Sequence, residues 1–265
     1  MEEYFKTNQA LWDKKTPIHL HSKMYDLENF KKGKNSLQSI EMESLGDVDG
    51  KRMLHLQCHF GQDSLSWSRL GAKVTGIDLS PVAIETARSL NKELGLDATF
   101  IQTNIYDLPA NLKGQFDLVF TSYGTIAWLP DLKKWASIIN RFLAPGGLFF
   151  IADFHPTFYL FNFDNRQIEF DYFGKTEPYL EIVKGTYADE KAAIEHKEYF
   201  WCHSLEEVIS PLLAEGLTML EFREFDYSPF DCFPNMKERV PGEFVFGDFG
   251  VRLPHIFSLK MSKQV

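Results

Sequence analysis

The amino-acid sequence predicts an α/β protein in which helices pack around a parallel sheet. Three observations lead to this class. Between about residues 51 and 153, short apolar runs alternate with amphipathic stretches, which is typical of βαβ units. Ser80-Pro81 combines a capping hydroxyl with a proline suited to the first turn of a helix. Pro145-Gly146-Gly147 follows a helical pattern and predicts a turn directly into a strand.

The first part of this region contains three strands separated by two helices. The strands are predicted at 52–57, 73–78 and 98–102. Leu65 and Leu70 face the sheet from the first helix. The second helix carries apolar residues at helical spacing and ends at Gly95.

The second part adds two strands at 116–121 and 148–153. Between them, apolar residues from Leu132 to Phe142 recur on one face of a helix. The core of the chain is therefore predicted to be a five-stranded arrangement of βαβ units over 51–153.

Three segments flank this core and complete a single domain over residues 1–265. We expect residues 1–50 to form a helical cover and the aromatic-rich segment 154–203 to form hairpins. Residues 204–265 begin with the capping box of Ser204 and Glu207 and continue with a helix and strands. The last strand is predicted at 254–260.

Composition narrows the functional classes. The chain has 265 residues, a formal net charge of −9 and three cysteines without a CxxC pair. These cysteines favour a reducing compartment, so a cytoplasmic location is predicted. No apolar stretch reaches the length of a membrane helix, and the first residues lack the apolar region of a signal peptide. Nucleic acid is disfavoured because the basic residues form only one cluster, at 31–34. The histidines lack ligand spacing, so no metal is expected.

Polar and glycine residues follow three consecutive strands. Gly61 closes the turn after the first strand, Asp78 ends the second, and Asn104 follows the third. Open α/β sheets bind ligands at the carboxyl ends of their strands. A glycine there allows close backbone approach, and a carboxylate can accept hydrogen bonds from a ribose diol. Each signal alone is weak, since such residues also cap helices and form turns, but their order and spacing together predict a nucleotide-like ligand.

The run 54–61, Asp78, the pair Asn104-Ile105 and the segment Leu143-Ala-Pro-Gly-Gly147 resemble the class I S-adenosylmethionine-dependent methyltransferases. The resemblance covers about residues 51–153 and continues more weakly to the end. It implies a doubly wound, Rossmann-like sheet of seven strands with an antiparallel final strand, and S-adenosylmethionine as the cofactor. The cofactor residues that it implies are His55, Gln57, Cys58, His59, Gly61, Asp78, Leu79, Asn104, Ile105, Ser122 and Tyr123.

The first motif departs from the family pattern at three positions. An acidic residue is usual where His55 stands, and glycines are usual where Gln57 and His59 stand. We expect His59 to adopt a glycine-like positive φ, which histidine tolerates better than most residues. His55 is either a cofactor contact or a buried, satisfied histidine.

Methyl transfer requires an acceptor held in line with the sulfonium methyl group and shielded from water. The family likeness places that acceptor over the fourth and fifth strands. His155 is the candidate base, with a structural role in the turn before Pro156 as its alternative. Tyr123 could orient an acceptor hydroxyl or pack against the cofactor, and His203 is either functional or a packing residue. His19 and His21 are further candidates as lid residues.

The aromatic insertion suggests a small, apolar or aromatic acceptor, while the methylated atom and the oligomeric state stay open. Two other functions compete with methyl transfer. A nicotinamide-dependent oxidoreductase would also use Asp78, but the G-x-G-x-x-G fingerprint is missing. A non-catalytic S-adenosylmethionine-binding protein would explain the altered first motif.

Overall fold

A computed structural model describes residues 2–162, 167–246 and 251–265, and contains a central mixed sheet. Its seven strands have the order β3-β2-β1-β4-β5-β11-β8. The strand bounds are β1 Arg52–His55, β2 Lys73–Asp78, β3 Thr99–Gln102, β4 Phe116–Ser122, β5 Leu143–Phe154, β6 Tyr179–Lys184, β7 Glu195–Phe200, β8 Leu217–Phe225, β9 Lys237–Val240, β10 Glu243–Val245 and β11 Ile256–Lys263.

The first five strands run parallel, and β11 pairs antiparallel with both β5 and β8. This is the predicted doubly wound sheet with an antiparallel final strand. The strand order reverses at β1, which lies between β2 and β4. The carboxyl ends of β1 and β4 therefore border the crevice where α/β sheets of this kind bind ligands.

Eight helices accompany the strands in the described residues: α1 Glu2–His19, α2 Leu27–Lys31, α3 Ser39–Leu45, α4 Gln62–Arg69, α5 Pro81–Glu93, α6 Leu108–Asn111, α7 Leu132–Phe142 and α8 Leu205–Ala214. Apolar side chains pack on both faces of the sheet. Trp135 and Phe149 belong to the cluster beneath α7, and Trp67 and Phe120 to the cluster on the opposite face. None of the described helices combines the length and the apolar character needed to cross a lipid bilayer.

The predicted helix starts at Ser80 and Ser204 are confirmed. Ser80 Oγ accepts the Ala83 N–H at 3.0 Å, and Ser204 and Glu207 form the predicted capping box. In contrast, the predicted turn at 145–147 is wrong, because β5 already begins at Leu143. Gly146 has a φ of +73° within this strand, and the register against β4 shifts there, so the glycines form an irregularity in the strand instead of a separate turn.

The insertion and the N-terminal segment meet over one edge of the sheet. The hairpin of β6 and β7 pairs antiparallel, and α1 packs against β7. Asn8 on α1 donates to the Tyr199 carbonyl at 2.8 Å, and the Tyr199 N–H donates back to Asn8 Oδ1 at 2.9 Å. The hairpin is therefore held to the N-terminal cover by a two-way hydrogen bond. Residues 163–166, within the predicted insertion, lie outside the described residues.

Candidate active site

A cavity of about 1260 Å³ opens at the carboxyl ends of β1, β2 and β4. Its outer walls are α1 and the β6–β7 hairpin. The cavity brings together all eleven residues of the predicted ligand site: His55, Gln57, Cys58, His59, Gly61, Asp78, Leu79, Asn104, Ile105, Ser122 and Tyr123.

The turn after β1 has three residues in the left-handed backbone region. Gln57 has a φ of +52°, His59 of +50° and Gly61 of +79°. The prediction of a positive φ at His59 is confirmed. A Cβ atom at Gly61 would lie 2.7 Å from the Phe100 ring and 2.9 Å from Ala87, so only glycine fits between the turn and the helix behind it. The chain thus keeps a glycine-like turn with only one glycine.

Asp78 links this turn to the start of α5. Its Oδ2 accepts the His59 N–H at 2.8 Å, and its Oδ1 accepts the Ser80 N–H at 2.9 Å. Burial raises the pKa of Asp78 to about 6, although both hydrogen bonds act in the opposite direction. The carboxylate is thus fixed in the cavity wall, with lone pairs left for a ligand hydroxyl.

His55 and Gln57 behave differently at the end of β1. His55 is buried, its Nδ1 lies 2.7 Å from Ser64 Oγ, and burial lowers the pKa of its imidazole to about 3. It is therefore neutral. Gln57 donates from Nε2 to the Thr125 carbonyl at 2.9 Å, whereas its Oε1 is buried without a protein partner. An unsatisfied buried oxygen beside a cavity indicates a place for a ligand donor.

Asn104 occupies the far end of the cavity. Its Oδ1 accepts the Tyr106 N–H at 3.0 Å and caps a short 3₁₀ turn, Ile105–Asp107. The side-chain NH₂ group of Asn104 is thereby turned away from its own backbone. Together with the buried Ile105, it forms a wall with polar and apolar parts, suited to the edge and face of a flat ring.

The loop after β4 is held by Asp153. The carboxylate of Asp153 accepts the N–H groups of Gly124 at 2.6 Å, Thr125 at 3.0 Å and Ile126 at 3.1 Å. Tyr123 before them has a φ of +39° and lines the cavity. Asp153 therefore fixes the loop that positions Tyr123.

Asp63 is a cavity carboxylate that sequence reasoning missed. It lies in the first turn of α4, and its two oxygens accept from Ser36 Oγ at 2.6 Å and Ser122 Oγ at 3.3 Å. Burial raises the pKa of its carboxyl. The sequence does contain a signal for Asp63. It stands two residues after Gly61, in the first turn of α4, and that turn faces the crevice.

Neither predicted catalytic histidine lines the cavity. His155 Nδ1 lies 2.9 Å from Thr157 Oγ1, and its Nε2 lies 3.0 Å from Glu224 on β8, which is separated from β5 by β11. His203 donates from Nε2 to the Leu129 carbonyl at 2.8 Å. The structure places both in turns outside the cavity and brings only Tyr123 of the three candidates to it, because the chain after β5 turns His155 towards β8.

The N-terminal cover contributes aromatic and charged residues that the sequence did not single out. Trp12 and Lys15 on α1 and Tyr187 in the insertion line the cavity. Lys15 Nζ lies 3.2 Å from Glu198 and 5.2 Å from the centre of the Trp12 ring. Periodicity could not have revealed them, because they form a wall only through contacts between α1 and a hairpin strand more than 180 residues away.

The two histidines suggested as lid residues differ. His19 is buried, and its Nδ1 lies 3.0 Å from His59 Nε2, so α1 touches the turn after β1 directly. His21 is exposed and does not line the cavity. Among the described residues, no group of three His, Cys, Asp or Glu side chains is arranged to hold a metal ion.

Residues 53–147 match the family described as a methyltransferase domain. An uncharacterized methyltransferase of Synechocystis sp. is 35% identical over 131 residues, which cover 49% of this chain and 59% of that protein. A ubiquinone biosynthesis O-methyltransferase of Xanthomonas oryzae pv. oryzae is 30% identical over 141 residues, 52% of this chain and 59% of its own length. The match therefore spans about three fifths of these curated relatives.

A similar solved structure is that of an S-adenosylmethionine-dependent methyltransferase from Listeria monocytogenes. It is 20% identical, with a TM-score of 0.57, and the superposition covers 85% of this chain and 97% of that one. At this identity the likeness concerns the fold, and it extends over the flanking segments as well as the core.

Proposed function

We propose that the chain transfers a methyl group from S-adenosylmethionine to a small acceptor, because residues 53–147 match a methyltransferase-domain family and the sheet resembles that of a solved methyltransferase. The observation that carries the proposal is the convergence of the eleven predicted residues on one cavity around Asp78. The activity proposed for the whole chain depends on this cavity.

The residues present fit S-adenosylmethionine along the length of the cavity. Asp78 offers a buried carboxylate to a ribose diol, and Asn104 and Ile105 offer an amide and an apolar wall to adenine. At the other end, Gln57 Oε1 lacks a partner and Asp63 carries a carboxylate, so both suit the ammonium group of the methionine part. Asp63 thus supplies the negative charge that the neutral His55 cannot.

When bound, S-adenosylmethionine supplies an electrophilic methyl group on a positively charged sulfur. The task of the protein is to orient the acceptor and exclude water. The loop fixed by Asp153 presents Tyr123 to the cavity, and the aromatic side chains of Trp12, Trp128 and Phe154 line its walls. Because these walls are largely aromatic, we propose a small, apolar or aromatic acceptor.

We propose that the chain acts on small molecules and not on nucleic acid. The acidic net charge of −9 argues against nucleic acid. The cavity itself is lined by the carboxylates of Glu198, Asp63 and Asp78, and this local negative charge disfavours a polyanionic acceptor. A cytoplasmic location is supported by three free thiols, Cys58, Cys202 and Cys232.

Turnover separates this proposal from its two rivals. The protein is incubated with S-adenosylmethionine and a panel of phenols, amines and thiols, and S-adenosylhomocysteine is quantified. A methyltransferase releases it in proportion to methylated acceptor. A non-catalytic binder takes up S-adenosylmethionine and releases product at the background rate. A nicotinamide enzyme binds reduced dinucleotide instead, although Gln57 and His59 occupy the turn where that class has glycines.

A further inference from the structure

We propose that Tyr123 and Glu41 form a proton relay at the acceptor end of the cavity, and that the acceptor atom is a hydroxyl oxygen. The inference rests on the proposed methyl transfer. It assigns a catalytic role to Tyr123, which reaches the acceptor, and a positioning and proton-storing role to Glu41 behind it.

Tyr123 is held in place by the backbone and by its neighbours. Its positive φ of +39° is a backbone conformation that a tyrosine adopts only when its surroundings impose it. The Asp153 carboxylate imposes it by binding the next three N–H groups of the chain. The ring packs edge-on against Phe230, with centres 5.0 Å apart. The phenol therefore occupies a fixed position in the cavity wall.

Glu41 lies directly behind this phenol. The Tyr123 hydroxyl donates to Glu41 Oε2 at 2.8 Å. The other oxygen, Oε1, accepts the Gln38 N–H at 2.6 Å in the capping box of α3. Glu41 is fully buried and does not itself line the cavity. The capping bond uses one oxygen only, and it orients the second one towards Tyr123.

The surroundings of Glu41 keep its proton affinity high. Burial raises the pKa of Glu41 to about 8, and the nearby Asp63 on α4 acts in the same direction. Burial also raises the pKa of the Tyr123 phenol, and Glu41, Asp63 and Tyr227 act in the same direction. With this pKa, Glu41 carries a proton at neutral pH and becomes a proton acceptor as the pH rises through about 8.

The charges on the strands packed against α3 are engaged elsewhere. Arg223 on β8 lies 3.7 Å from Glu43, and Lys260 on β11 donates to the Ser44 carbonyl and lies 4.0 Å from Glu221. These groups pair at the carboxyl end of α3, whereas Glu41 lies in its first turn. Within the described parts of the chain, no cation therefore neutralises Glu41.

One proton and one methyl group move in the proposed transfer. The acceptor hydroxyl donates to Tyr123 Oη while the Tyr123 proton moves to Glu41 Oε2. The acceptor oxygen forms its bond to the methyl carbon, and the methyl–sulfur bond breaks with its electron pair remaining on sulfur. After the product leaves, the proton returns through Tyr123 to water. A neutral amine needs no such acceptor in the transfer step, and a thiol, with a pKa of about 8.5, ionises readily without one. The pair therefore points to a hydroxyl.

The first test measures the proton on Glu41 without any turnover. Infrared spectra of the ligand-free protein are recorded from pH 6 to pH 10. We expect a protonated-carboxyl band that disappears with a midpoint near pH 8, because burial raises the pKa of Glu41 to about 8. The component with this midpoint is absent in Glu41→Gln, whereas the Asp78 carboxyl, with a pKa of about 6, still titrates at the lower end of the range. In Tyr123→Phe the midpoint rises, because the phenol hydrogen bond stabilises the ionised carboxylate.

The variants are matched to separate the relay from helix capping. Glutamine also serves in a capping box, so Glu41→Gln keeps the cap of α3. Glu207→Gln makes the same change in the capping box of α8, outside the cavity, and should retain the infrared band and the turnover. An ionised Glu41 throughout this pH range, or the same loss in both variants, overturns the relay.

The second test identifies the methylated atom. The protein is incubated with S-adenosylmethionine carrying 13C in its methyl group and with a small-molecule extract of bacterial cells, and the carbon chemical shift of the product is read by NMR. We expect an O-methyl signal. Turnover should rise with pH up to about 8 and fall roughly 10²–10⁴-fold in Glu41→Gln, the usual contribution of acid–base catalysis. An N-, S- or C-methyl product overturns the inference alone, whereas no labelled product contradicts the proposed function and the inference with it.

Discussion

Asp78 is the residue on which the site depends most. It binds the backbone of His59 and of Ser80, so one carboxylate holds the turns that follow β1 and β2. The sequence predicted Asp78 and the turn with Gly61 because strand ends and spacing are visible in a single chain. It did not predict Asp63 or Glu41, since a carboxylate becomes distinctive only when the fold buries it.

Ionised Asp78 should be required for binding S-adenosylhomocysteine. Burial raises its pKa to about 6, so the carboxylate is protonated below this pH and loses its capacity to accept from both ribose hydroxyls. We expect the affinity to decrease as the pH falls through 6. Asp78→Asn should weaken binding roughly 10–100-fold and remove this pH dependence. Calorimetric titrations between pH 5 and pH 8 measure both effects, and equal affinity in the folded variant would exclude Asp78 from the site.

Asp63 should recognise only the amino-acid part of the cofactor. We expect Asp63→Asn to weaken S-adenosylhomocysteine roughly 10–100-fold, the range for a charged hydrogen bond. The binding of 5′-methylthioadenosine, which lacks the ammonium group, should be unchanged. Asp78→Asn is the control, because the ribose is common to both ligands and both should weaken. Equal losses for both ligands in Asp63→Asn would contradict this assignment.

At the scale of elements, α1 connects the cofactor turns with the insertion. Asn8 binds the backbone of Tyr199 in β7, His19 contacts His59, and Asp13 accepts from the Ser80 hydroxyl at 2.5 Å. The helical nature of the N-terminal segment was predicted. Its partners were not, because the pairing of residues 8 and 199 depends on tertiary contacts that leave no periodic signal.

Loss of the Asn8 bridge should loosen the hairpin. Asn8→Ala removes two hydrogen bonds, one in each direction, and we expect destabilisation of about 1–3 kcal/mol. Hydrogen exchange in β6 and β7 should accelerate, as followed by mass spectrometry. Asn91→Ala is the matched control, since Asn91 bridges the N–H and carbonyl of Ala98 in the same way, away from the hairpin. Unchanged exchange in β6–β7 of Asn8→Ala would show that α1 does not secure this wall.

For the whole molecule, the fold was more predictable than the chemistry. Alternating apolar runs predicted the first strands of the sheet. The family resemblance implied an antiparallel final strand, which the observed pairing of β11 with β5 and β8 confirms. The catalytic candidates were less certain because His155 and His203 were chosen for their position in the chain. The turn after β5 directs His155 away from the cavity, and a hydrogen bond to the Leu129 carbonyl holds His203 outside it, while Tyr123 reaches the cavity through a backbone conformation that no sequence pattern reveals.

The central claim is that the cavity around Asp78 binds S-adenosylmethionine in preference to a dinucleotide. Thermal unfolding is measured with S-adenosylhomocysteine at about a hundred times a micromolar dissociation constant, and with reduced nicotinamide dinucleotide as the control. At that excess the ligand adds roughly 2.7 kcal/mol to the stability of the folded state, which corresponds to a rise in Tm of roughly 5–10 °C. The account predicts this rise with S-adenosylhomocysteine alone. An unchanged Tm with S-adenosylhomocysteine, or a rise with the dinucleotide instead, would contradict it.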